Sequence, residues 1–134
     1  MSAKEKMLLV DGDEGIRKAL SLFFDSRNYV LHTVENGSQA LLATDKEKYD
    51  IIFCEQLLPD MNGLNLFEIL NKRHYAGVKI LITLYGNSPS LEDIHGKGID
   101  SLLTKPFSGE EIEETINKVI NSKYMKNSAA GTSI

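Results

Sequence analysis

Five side chains in this 134-residue sequence have types and placements that suit chemistry on oxyanions. "LLVDGDE" runs from an apolar stretch into Asp11, Gly12 and Asp13, and "IIFCEQLLPDMNG" places Glu55 directly behind another. "ILITL" carries Thr83 and "LLTKPF" carries Lys105. Carboxylates are hard oxygen donors for a small divalent ion such as magnesium. A hydroxyl and an ammonium serve phosphate oxygens. The set is the vocabulary of a phosphoryl site, provided the fold brings it to one place.

The elements that must do so alternate along the chain. "MLLV" (7–10), "YVLHTV" (29–34), "IIFC" (51–54), "VKILI" (78–82) and "IDSLL" (99–103) read as strands. The third and fourth are almost continuously apolar, as parallel strands covered on both faces are. The second alternates more and belongs nearer an edge. Ile16, Leu20, Phe23 and Phe24 repeat with one helix face, and so do Leu66, Phe67 and Leu70. Ser108 and Glu111 form a capping box ahead of the stripe Ile112, Ile116, Val119 and Ile120. The stretch "NSPSLEDIHGKG", with Pro89 inside it, is the poorest helix. Strand–helix alternation repeated five times predicts an open parallel sheet with helices on both faces. In such sheets the site lies beyond the carboxyl ends of the strands, at the topological switch point. Asp11, Glu55, Thr83 and Lys105 follow the first, third, fourth and fifth strands; the second supplies nothing chemical.

The totals narrow the function class. A chain of this length makes one domain, and 42% hydrophobic with 25% charged residues suits a globular one. No window is apolar enough for a membrane span, the start does not read as a secretory signal, and a cytoplasmic location is expected. A net charge of −4 with scattered Lys and Arg argues against direct nucleic-acid binding. Cys54 is the single cysteine, so no internal disulfide or cysteine zinc site exists, and its apolar setting predicts a small buried hydrophobe. His32, His74 and His95 lack ligand spacing.

In order and spacing, "LLVDGDEGIRKAL", "IIFCEQLLPDMNGLNLFEIL", "ILITL" and "LLTKPF" resemble the receiver domain of two-component response regulators. The match covers about residues 5–122, with the Leu-Pro-x-Met-x-Gly turn and Lys-Pro-Phe its most specific parts. The resemblance implies a CheY-like, flavodoxin-like (βα)5 doubly wound sheet in the order 2-1-3-4-5. It places the receiver at residues 1–123 and leaves 124–134 as a flexible tail or the start of a linker. In that family a histidine kinase passes a phosphoryl group to an aspartate four residues before the turn proline. Here that position holds Glu55. Asp11 matches the first of two adjacent acids, but Gly12 stands where the principal magnesium ligand belongs, with Asp13 one place on. Any magnesium is therefore expected on Asp11, Asp13 and Glu55, weakly held or absent. Thr83 and Lys105 match the switch threonine and the phosphate-sensing lysine, and Lys105–Pro106 matches a cis peptide. Leu102 replaces an aromatic that often reports the switched state.

One methylene moves the carboxylate by roughly 1.5 Å. A misplacement of about 1 Å costs on the order of a hundredfold where catalysis is positioning. Negligible phosphorylation at Glu55 is therefore expected. Two signalling readings follow. In the preferred one the domain is a degenerate pseudo-receiver that works without phosphorylation, through protein partners such as a histidine kinase or an output domain, or through weak self-pairing. In the alternative, Glu55 mimics phospho-aspartate and the domain is constitutively active-like. A catalytic rival uses the same residues: "DGD" resembles the nucleophile motif of haloacid-dehalogenase-like phosphatases, with Asp11 as nucleophile and Asp13 as acid/base. Gly15, where that family has threonine or valine, and an acidic pair reduced to Asp100 count against it, so no enzyme is expected. A flavin carrier is disfavoured because the acids of the first loop repel phosphate.

Overall fold

The computed structural model describes the backbone of residues 5–84 and 89–132, and the side chains of 5–84 and 89–122. Residues 1–4 and 85–88 of the expected domain, and 133–134 of the expected tail, lie outside the described residues. The elements are β1 (Glu5–Val10), α1 (Glu14–Asp25), β2 (Tyr29–Val34), α2 (Gly37–Lys46), β3 (Ile51–Glu55), α3 (Gly63–Lys72), β4 (Val78–Leu84), α4 (Leu91–Gly96), β5 (Ser101–Lys105) and α5 (Gly109–Thr132). All strand pairings are parallel, in the order β2-β1-β3-β4-β5. This is the flavodoxin-like (βα)5 sheet, and β2 lies at an edge with every residue half-buried.

Alternation along the strands divides the core in two. Leu8, Val10, Ile52, Cys54 and Leu81 point to one face and bury against Ala40 of α2 and Leu66, Phe67 and Leu70 of α3. Met7, Leu9, Ile51, Phe53, Ile80 and Ile82 point to the other, against Leu20 and Phe24 of α1 and Ile112 and Ile116 of α5. Side chains covered from both sides are why β1, β3 and β4 read as unbroken apolar runs.

Four strands differ from the sequence reading, the first of them β1, which starts at Glu5 rather than Met7. β3 and β4 extend one and two residues past their apolar runs, and β5 lies at 101–105 rather than 99–103. The ladder continues into polar residues, Thr83 pairing with Thr104 and Leu84 with Lys105. Hydrogen bonding of the backbone, blind to side-chain polarity, sets the strand ends. α5 continues to Thr132, through the segment expected as a flexible tail. Nothing between Tyr124 and Ala130 breaks a helix, and lysine, methionine and alanine favour one. α4 is short, six residues capped by Ser90, in keeping with its weak pattern.

Candidate functional site

Each acid is delivered by a local device. Val10 ends β1 between β2 and β3, so Asp11 emerges at the middle of the sheet's carboxyl edge, fully buried. Its Oδ1 accepts the Asp13 N–H at 2.9 Å. Asp13 turns away from the pocket. Its Oδ1 accepts the N–H groups of Gly15 (2.8 Å) and Ile16 (3.3 Å), capping α1. The sequence reading placed Asp13 among the pocket acids and metal ligands; the orphan donors of the helix start claim its carboxylate instead.

Glu55 ends β3, and the turn behind it is fastened twice. Asp60 accepts from Gly37 N (2.8 Å), Ser38 N (3.0 Å) and Ser38 Oγ (3.0 Å), tying the β3–α3 loop to the start of α2. These hydrogen bonds, the one from Gly37 foremost, hold its carboxyl below the ordinary value. Gly63 lies so close to the Glu55 carbonyl oxygen that a Cβ there would collide with it. Thus "LPDMNG" is the brace that fixes where Glu55 points.

Lys105 closes the site from β5. Its Nζ donates to Glu55 Oε1 at 3.0 Å and lies 3.1 Å from Asp11 Oδ2, with only 13% of the side chain exposed. Glu55 Oε2 accepts the Gly12 N–H at 3.2 Å. Burial raises the Asp11 carboxyl above its ordinary value, opposed by the Asp13 N–H and reinforced by Glu55. For Lys105, burial works against the ammonium, but the hydrogen bond to Glu55 and the ion pair with Asp11 outweigh this and raise its pKa. Thr83 is 1% exposed, and its hydroxyl lies 3.4 Å from that of Thr104, its neighbour across β4 and β5. Among the described residues, a small cavity of about 10 Å³, the scale of one water, lies between Glu55, Leu57, Ile82, Thr83 and Lys105.

Asp11, Glu55 and Lys105 therefore form one ion cluster, with Gly12 contributing its backbone N–H and Thr83 on the wall. Sequence reasoning missed two members. Arg17, one helical turn into α1, donates from Nη1 to the Asp11 carbonyl at 2.8 Å and lies 3.6 Å from Glu35. An arginine on an amphipathic helix reads as a solvated charge, so no signal marked it. Thr104 was hidden because strand register, not sequence proximity, sets it beside Thr83. Burial lifts the Cys54 thiol well above its ordinary value, which leaves it a packing residue. Asp100, the rival phosphatase reading's only late acid, accepts the Lys79 N–H at the opposite end of the sheet.

The donor set does not suit a divalent cation. Asp13 caps a helix, Gly12 offers no side chain, and an ammonium already stands between the two remaining carboxylates. Among the described residues no group of three or more His, Cys, Asp or Glu is placed to hold a metal. Among them, too, no helix is long and apolar enough to cross a membrane.

With this geometry in view, the comparisons with known proteins agree on a class. Residues 7–117 match the model of the response regulator receiver domain, and the chain belongs to that family. The transcriptional regulatory protein GlrR of Escherichia coli (strain K12) is 30% identical over 114 residues, 85% of this chain but 26% of its own length. Sporulation initiation phosphotransferase F of Bacillus subtilis (strain 168) is 29% identical over 119 residues, covering 89% of this chain and 96% of that protein. The chain thus spans about a quarter of one relative and nearly all of the other. The receiver domain of the Francisella response regulator 1452 superposes with a TM-score of 0.79 at 25% identity, covering 90% of this chain and 99% of that one. Chemotaxis response regulator CheY4 of Vibrio cholerae gives 0.78 at 24%, covering 87% and 98%, a likeness of fold. This is a two-component response regulator receiver domain. These relatives and solved structures are response regulators, receiver domains and a phosphotransferase of sporulation initiation.

Proposed function

We propose that this receiver has lost its chemical input and works as a phosphorylation-independent module that signals by contact with another protein. Glu55 occupies the phosphoacceptor position. The observation that carries the reading is the setting of its carboxylate: one oxygen on Lys105, the other on Gly12 N–H. An incoming phosphoryl group, with its three oxygens, has to displace that anion before it can react. Catalysis by positioning has no other resource here.

The phospho-aspartate mimic is the second reading. It requires Glu55 to draw the switch threonine towards it. The Thr83 hydroxyl instead faces Thr104, and both Glu55 oxygens are engaged elsewhere. A conformational bias needs differential contacts with the two states, and this arrangement favours the scaffold. Divalent ions play no part in the proposed function, nor does catalysis. The partner is a protein, such as a kinase, an output domain or a second receiver, met in the cytoplasm and without direct contact to nucleic acid.

Treatment with a small phosphodonor and magnesium, followed by intact mass, tests this. The chain should show no phosphoryl adduct, and neither should Gly12→Asp alone. A Cβ at Gly12 meets Pro59 at 3.4 Å, ordinary contact, so the double variant Gly12→Asp with Glu55→Asp should fold and take up the group. An adduct at high occupancy on the unmodified chain rejects the proposal.

A further inference from the structure

The fold's usual ion and this chain's residues disagree, and the disagreement has a direction. We infer that the Lys105 ammonium is the resident cation of the site: it takes the place between Asp11 and Glu55 that a divalent ion would need, so the folded receiver is independent of metal. Nζ lies 3.1 Å from Asp11 Oδ2 and 3.0 Å from Glu55 Oε1, and both side chains are largely or wholly buried. Asp11 Oδ1 accepts the Asp13 N–H and Glu55 Oε2 the Gly12 N–H, while among the described residues buried Asp11 Oδ2 accepts no hydrogen bond and has the Lys105 ion pair alone. Two carboxylates against one ammonium leave a single negative charge. The Arg17 guanidinium on the Asp11 carbonyl reduces the local potential further.

The methylene of Glu55 and the bare Gly12 then act as a pair. The longer side chain lets one carboxylate meet both Lys105 and the backbone at position 12. A residue without a side chain there adds no third acid, which would call for more positive charge. A divalent ion entering this cluster meets an ammonium a few ångströms away in a poorly solvated pocket, where like charges repel strongly.

The inference rests on the placement of Glu55 in the proposed function but concerns a different property, and its test is separate. Manganese binding followed by the loss of its free-ion paramagnetic signal reads the site directly. The unmodified chain should show no saturable binding up to about 1 mM, the range in which weak oxygen-ligand sites fill. Lys105→Met, checked for its fold by circular dichroism, should gain a site at least about tenfold tighter, the minimum expected when a unit charge is removed nearby. Lys105→Gln serves if the methionine variant does not fold. Saturable binding by the unmodified chain overturns the inference, and so does a folded variant that gains none. A phosphoryl adduct without manganese binding removes the proposed function and leaves this inference standing; manganese binding without an adduct does the reverse.

Discussion

Asp11 and Glu55 share one lysine, but Asp11 is wholly buried while Glu55 keeps 16% of its side chain exposed. The Asp11 carboxyl is raised by desolvation, so its favourable contribution to stability is complete below its unfolded value of 3.8 and is lost as pH rises through the folded value. At neutral pH the ionised group is a cost. Asp11→Asn is therefore expected to leave the urea midpoint unchanged or higher at pH 7, since asparagine still accepts the Asp13 N–H. Glu55→Gln should lower stability by roughly 1–2 kcal/mol, because Lys105 loses a charged hydrogen-bond partner. Reversal of that order in matched urea titrations contradicts the electrostatic account of the site. Cys54 and Asp100 show the limit of reading residues singly: each carries reactive atoms, and position alone makes one inert and sends the other to the far end of the sheet.

The β3–α3 turn is the element on which the placement of Glu55 depends. Asn62 caps α3 by accepting the Leu64 N–H at 2.9 Å, and Gly63 allows the helix start to press on the end of β3. Asn62→Ala removes one cap and should cost about 1 kcal/mol. Gly63→Ala drives a methyl group into backbone that cannot yield easily and should cost roughly 1–3 kcal/mol or more, as overpacking does. Denaturant midpoints compare the two directly. Equal losses would mean that the turn relaxes and the brace is weaker than its geometry implies.

Across the whole molecule, acid should destabilise. Glu47 is held below 4.5 by a hydrogen bond from Lys6, Asp60 below 3.8 by Gly37 N–H, and Glu68 below 4.5 by Lys97. A lowered carboxyl contributes stability that is present above its unfolded value and lost as pH falls through the folded one. Three such groups stand against Asp11, whose sign is opposite. Melting temperature should therefore fall as pH drops from about 5 through the carboxylate range. The fall should be smaller in Asp60→Asn, because one of the three contributions is then absent. A melting temperature flat from pH 6 to pH 3 is the result this balance forbids.

The class of fold is legible in the order of residues alone. Apolar runs alternating with helical stripes leave few ways to bury both faces of a parallel sheet, and Asp11, Glu55, Thr83 and Lys105 were legible because each follows such a run. The same signal blurred the strand ends, since β3, β4 and β5 continue into the polar residues that make the site. Which side chains meet is set by the packing of the folded chain. Asp13 went to a helix cap, Arg17 came in from a face that reads as solvent, and Thr83 found Thr104 across the ladder. The reason is range: periodicity reports burial along one element, whereas pairing between charges and hydroxyls depends on register and loop geometry among several. The distances that join Lys105 to both Asp11 and Glu55 are set by strands whose residues lie far apart in the chain.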